Sequence, residues 1–100
     1  MPAVTRIGDL DVTHCSPPMN AQGSGTVFAN GIGVSRKGDA VTTHMMPNPG
    51  TPPPPCVPHS STISQGSGKV FANGIGVARI GDSISACTSV AQGSNNVFAG

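Results

Sequence analysis

Three histidines and one cysteine are the residues of this sequence whose types suit metal binding: His14, His44, His59 and Cys87. All but His59 lie ten residues after the valine of a motif that occurs three times. If the three copies pack around a common axis, these three side chains meet at one end of it. Imidazole and thiolate are ligands that suit Zn²⁺, and Fe²⁺ also accepts them. The sequence therefore predicts a tetrahedral site with three histidines and one cysteine.

The argument for this site lies in the repeat register, because spacing along the chain is weak support. Separations of 30, 15 and 28 residues between successive members match no standard zinc finger. A single histidine at a strand end is more often solvated or hydrogen-bonded than metal-bound. Here, however, all three equivalent positions carry a ligating residue type. Four protein ligands would leave no open position, so we expect a structural metal and no catalysis.

The two remaining cysteines leave alternatives open. Cys56 lies three residues before His59 and could take its place as a ligand. Cys15 follows His14, and adjacent residues of a strand face apart. This alternation also argues against a nucleophilic Cys–His pair. We interpret Cys15 and Cys56 as small packing residues, or as a disulfide if they meet in an oxidising environment.

The elements that must position these side chains are copies of one repeat. Residues 22–44 read QGSGTVFANGIGVSRKGDAVTTH, and residues 65–87 read QGSGKVFANGIGVARIGDSISAC. A third copy is split, with AVTRIGDLDVTH at 3–14 and QGSNNVFAG at 92–100. All three phenylalanines fall at one repeat position, all three arginines at a second, and three of the four aspartates at a third. We therefore expect three pseudo-symmetric units, the third completed by the N- and C-terminal segments.

Each unit has the signals of short β-strands joined by tight turns. Asn-Gly at 30–31 and 73–74 favours type I′ hairpins. The Gly-Asp of each Arg-x-Gly-Asp sequence marks another turn, in which we expect the aspartate to cap the turn and the arginine to pair with an aspartate or cover an apolar flank. No segment keeps a helical period over two turns. We predict an all-β domain in which three hairpin repeats form a small cone. Pairing of residues 97–99 with residues 4–6 would close the ring.

A proline-rich insertion, residues 46–58, lengthens the middle connection and holds seven of the ten prolines. Four consecutive prolines at 52–55 favour polyproline conformation. A surface loop or a partner-docking segment is one interpretation. We prefer a stiff loop that returns the chain to a defined place, because it delivers His59. The whole chain, residues 1–100, is then one domain without an extension.

The composition excludes several classes of protein. A net charge of +1 with 9% charged residues gives no electrostatic footprint for nucleic acid. The N-terminus lacks the apolar segment of a secretory signal peptide, and no stretch suits a membrane span. With 14 glycines, 10 prolines and 3% aromatic residues, the core must be thin. A chain of this kind usually needs a staple such as a metal or an oligomeric partner.

The combined motifs resemble the PAAR-repeat proteins, which cap the spikes of type VI secretion systems and contractile phage tails. The resemblance covers nearly the whole chain and rests on Pro2–Arg6 with Gly8-Asp9, both copies of VFANGIGV, Val34–Asp39, Val77–Asp82 and Gly93–Phe98. The Pro-Ala-Ala-Arg tetrad itself is not intact, and only Ala78-Arg79 keeps its second half.

The resemblance implies a sharp cone whose base plugs the blunt end of a trimeric β-helical spike, either VgrG or a phage central spike. It also implies a zinc near the point, and the matching positions are His14, His44, His59 and Cys87. The protein would be assembled in the cytoplasm without a signal peptide. It would then be pushed outward with the spike to puncture a membrane. The spike would belong either to a bacterial secretion system or to the tail tip of a virion.

Two other functions remain alternatives. In the first, the same cone is an adaptor that attaches effector proteins to the spike, through the proline-rich loop. In the second, the metal serves a hydrolase, which would need an open coordination position.

Overall fold

The computed structural model describes residues 1–13, 15–47 and 56–100. Within these ranges the chain is all-β, with no helix and so none that is long and apolar enough to cross a bilayer. Most pairing consists of isolated bridges between extended segments. The regular strands are short: β1 (Phe28–Ala29), β2 (Ile32–Gly33), β3 (His44–Pro47), β4 (Cys56–His59), β5 (Phe71–Ala72) and β6 (Ile75–Gly76).

Two of the three two-stranded sheets are the predicted Asn-Gly hairpins. β1 pairs antiparallel with β2, and β5 pairs in the same register with β6. Asn30 and Gly31 have φ of 57° and 77°, and Asn73 and Gly74 have φ of 56° and 76°. Positive φ at both central residues is the requirement of a type I′ turn. The sequence prediction for these two hairpins is confirmed.

The third two-stranded sheet lies outside the repeats, in the insertion, where β3 pairs antiparallel with β4 and Pro47 faces Cys56. Residues 48–55, including the predicted polyproline run, lie outside the described residues. In the split third copy, the two terminal segments pair through an isolated bridge between Ala3 and Phe98. These positions are equivalent to the Gly33–Phe28 and Gly76–Phe71 pairs of the two Asn-Gly hairpins. The Val4 amide also donates to the Val97 carbonyl at 2.9 Å, so the predicted contact between these segments is present.

A closed ring of backbone hydrogen bonds joins three equivalent segments. The Thr5 amide donates to the Ala78 carbonyl, the Ala78 amide to Ser35, and the Ser35 amide to Thr5, at 2.9–3.0 Å. All three residues are fully buried. The flanking bridges repeat in the same sense, each joining a valine to an arginine: Val4 with Arg79, Val34 with Arg6, and Val77 with Arg36. The three segments therefore pair with one another in a closed cycle.

Each Arg-x-Gly-Asp sequence forms a turn that its own side chains close. The Asp9 amide donates to the Arg6 carbonyl at 3.0 Å, with Gly8 at a φ of 85°. The buried Asp9 carboxylate accepts from both the Arg6 amide and the Arg6 guanidinium. Equivalent ion pairs join Arg36 to Asp39 and Arg79 to Asp82, each at 2.9 Å. The predicted capping role of these aspartates is confirmed.

The apolar core consists of two small clusters. The first cluster contains six valines and alanines: Val4, Ala29, Val34, Ala72, Val77 and Ala99. The second cluster contains Val41, Ile63, Ala78, Ile84 and Val90, and Cys87 packs against it. Because neither cluster holds an aromatic residue, the core is thin.

Candidate metal centre

Three of the four predicted ligands converge. His44 and His59 face each other across the β3–β4 hairpin, with ring centroids 5.1 Å apart and perpendicular planes. Cys87 comes from a tight turn in which its amide donates to the Ile84 carbonyl at 3.0 Å. The donor atoms of His44, His59 and Cys87 all lie within 4.8 Å of one another. This group could hold a metal ion.

Backbone contacts set the orientation of His44. Its Nδ1 lies 2.8 Å from the carbonyl oxygen of Thr42, so Nδ1 carries the hydrogen that is donated there. That tautomer leaves the Nε2 lone pair directed at Cys87, whose Sγ is 3.1 Å away. A metal-ligating histidine usually donates its other ring N–H in this way. His44 is buried, and the Nε2 atom of His59 is also shielded from solvent.

The separation of one donor pair is close to that expected around a tetrahedral ion. Ordinary Zn–N and Zn–S bond lengths place a nitrogen and a sulfur ligand about 3.6 Å apart. The His44 Nε2 to Cys87 Sγ distance of 3.1 Å is therefore within about half an ångström of a ligating separation. Two imidazoles and a thiolate also match the chemistry that zinc prefers. A fourth donor would complete the set.

The surroundings of Cys87 resist a negative charge when no cation is present. Burial raises the pKa of the Cys87 thiol, and the charge of Asp11 raises it further, against a hydrogen bond from the Thr88 backbone that lowers it. A bound dication reverses this preference, because metal ligation requires the thiolate and releases the proton.

Asp11 is a residue that the sequence analysis did not single out. It is buried, and both carboxylate oxygens are without a hydrogen-bond partner among the described residues. Burial, followed by the charge of Asp9, raises the pKa of Asp11 to about 7. A signal was present in the sequence, since the equivalent positions of the other two copies are Val41 and Ile84. Aligning the three copies shows that one of them has an acid where the other two have an aliphatic residue.

His14, the remaining predicted ligand, lies outside the described residues. Cys56 is not an alternative ligand, because it forms a disulfide with Cys15 at a Cα–Cα distance of 6.3 Å. Of the two interpretations of these cysteines, the disulfide is the correct one. The strand alternation expected at Cys15 is wrong, since this residue sits at a bend with a φ of 75°.

The disulfide fixes the hairpin that carries both histidines. Cys56 begins β4, three residues before His59. Next to the disulfide, the Met45 amide donates to Ser16 Oγ at 2.9 Å, which ties β3 to the same segment. The 15–16 segment therefore holds both strands of the hairpin, and this anchors the pair of imidazoles.

No protein-family model matches the sequence, and no curated protein matches it at a significant level. The resemblance to PAAR-repeat proteins accordingly remains a prediction from the motifs.

Proposed function

We propose that this protein is the structural tip of a trimeric β-helical spike, sharpened by a zinc ion near its point. The observation that carries the proposal is an exposed apolar surface repeated three times. Phe28, Phe71 and Phe98 occupy one repeat position and remain 57%, 55% and 48% exposed. Exposed patches of aromatic and aliphatic side chains mark surfaces that a partner covers. A partner that meets all three phenylalanines alike has threefold symmetry.

The backbone ring supports the same symmetry. Its three hydrogen bonds and its three valine–arginine bridges join equivalent residues of the three copies in one cyclic order. A single chain with this arrangement can present similar groups to each subunit of a trimer. We infer that the three sequence repeats are three structural units around one axis, with the terminal segments completing the third.

The phenylalanines and the donor group are associated with different parts of the core. Each phenylalanine precedes an alanine of the first cluster, whereas Cys87 packs against the second cluster. The molecule is elongated, with principal extents of 44 × 23 × 22 Å. In our proposal the phenylalanines form the base of a cone, and the metal lies toward its point.

A metal would supply stability that this chain cannot obtain from packing alone. Structural zinc contributes an apparent binding free energy of about 10–16 kcal/mol in small zinc modules. Here His44, His59 and Cys87 would hold the ion, with His14 as the fourth ligand. The ion would tie β3, β4 and the 84–87 turn together, and the protein would transmit force without performing catalysis.

Binding to the trimeric spike protein of the same host tests this proposal. We expect the full chain to copurify with the spike at one chain per trimer. Replacing Phe28, Phe71 and Phe98 by aspartate should abolish copurification while the free protein stays folded, because these side chains are exposed. Leu10→Asp is the control, since Leu10 is 41% exposed but occupies a different repeat position from the phenylalanines. Retention of the triple variant on the spike would contradict the proposal.

A further inference from the structure

A buried acid pairs with the apolar cluster against which Cys87 packs. Asp11 is only 3% exposed, and Val90 of the second cluster lies opposite it in an antiparallel bridge. Its equivalents in the other copies, Val41 and Ile84, both belong to the second cluster and are 3% and 2% exposed. The Asp11 carboxyl therefore occupies a place where two of three units put an aliphatic side chain.

Among residues 1–13, 15–47 and 56–100, no side chain or backbone group compensates this carboxyl. Neither oxygen has a hydrogen-bond partner in the described parts of the chain. The guanidinium of Arg6 is committed to Asp9, at 2.8 Å and 3.0 Å. Burying an uncompensated carboxyl is costly, and a valine there would be accommodated, as Val41 shows in its own unit. Natural sequences depart from such local rules mainly where function requires it.

We propose that Asp11 is the outer charge partner of the metal held by His44, His59 and Cys87, an inference that rests on the metal centre proposed above. A dication with one thiolate and neutral imidazoles keeps one net positive charge. An Asp11 carboxylate buried nearby neutralises that charge. Asp11 pairs with Val90, and Val90 belongs to the cluster against which Cys87 packs. Asp11 is not among the residues whose donor atoms converge within 4.8 Å, so it acts from outside the ligand set.

This role is tested by the metal affinity of variants that carry an uncharged side chain at position 11. The full chain, Asp11→Asn and Asp11→Val are stripped of metal and titrated with Zn²⁺ against a competing chromophoric chelator. We expect both variants to bind Zn²⁺ about 10–100-fold more weakly, the usual effect of removing an outer-shell partner. Leu10→Lys is the matched control. It changes the net charge by the same amount on the exposed neighbour of Asp11, and its affinity should stay close to that of the unmodified chain.

Two further readouts separate this role from loss of structure or of a ligand. Asp11→Val should melt no lower than the unmodified metal-free chain, because an aliphatic side chain suits this position. The Co²⁺ absorption spectrum of Asp11→Asn should keep the form of the unmodified protein, because the ligands are unchanged.

Equal Zn²⁺ affinity of Asp11→Asn and the unmodified chain would overturn the inference. An altered Co²⁺ spectrum in Asp11→Asn would also overturn it, by making Asp11 a ligand. Failure of the unmodified chain to bind Zn²⁺ would instead overturn the metal centre itself, so the two failures are distinguishable.

Discussion

The Asp11 carboxyl links protonation to folding. Its pKa is raised from 3.8 to about 7, first by burial and then by the charge of Asp9. Between these two values the native chain keeps a proton that the unfolded chain has released. Stability falls with rising pH wherever the native state binds more protons than the unfolded state. Asp11 therefore costs the metal-free protein little below about pH 4, and its full cost is present above about pH 7.

The effect of Asp11→Val on the stability of the metal-free protein should therefore depend on pH. The gain in Tm of Asp11→Val over the unmodified chain should be small near pH 4 and increase up to about pH 7. Thermal melts by circular dichroism at several pH values measure it. A difference in Tm that does not vary with pH would contradict the account.

At the residue scale the sequence predicted the donor group but not its surroundings. His44 and Cys87 could be identified because they share a repeat position, which is independent of their distance along the chain. The Thr42 carbonyl could not be identified, because its role depends on backbone geometry. Asp11 differs in type from the equivalent Val41 and Ile84, but its burial could not be predicted from that difference alone.

The β3–β4 hairpin is the element on which the site depends. Local signals predicted β1–β2 and β5–β6, because Asn-Gly alone sets the turn. β3 and β4 carry Pro47 and Pro58, which ordinarily argue against a strand, and a two-stranded ribbon tolerates them because its edges are unpaired. Their pairing is fixed by long-range contacts, including the Cys15–Cys56 disulfide. No local sequence motif predicts these contacts.

The disulfide predicts a specific thiol count and a specific loss of stability. Denatured, metal-free protein should titrate with one thiol, Cys87, and with three after reduction. Replacing both Cys15 and Cys56 by serine should lower the free energy of unfolding by about 2–4 kcal/mol, as expected for a disulfide that closes a long loop.

The reductant response is the control for this prediction. Reduction should lower the Tm of the unmodified chain and leave the double serine variant unchanged. Three titratable thiols before reduction would show that the disulfide does not form.

At the scale of the whole molecule, the backbone hydrogen-bond ring and the Cys15–Cys56 disulfide add stability that the thin core does not supply. The ring through Thr5, Ser35 and Ala78 removes strand edges that would otherwise invite aggregation. The split repeat predicted the contact between the terminal segments, because the missing half of one copy had to come from the other end of the chain. The additional β3–β4 hairpin could not be predicted from the repeat, since the insertion has no counterpart in the other copies.

The central claim is that His44, His59 and Cys87 hold a structural metal. Elemental mass spectrometry of the full, untagged chain, purified without chelator, tests it most directly. We expect about one zinc or iron per chain, lost in His44→Ala together with about 4 kcal/mol or more of stability. Met45→Leu, at the adjacent residue, should keep its metal. A folded, metal-free protein would contradict the account, as would an unchanged Tm and full metal occupancy in His44→Ala.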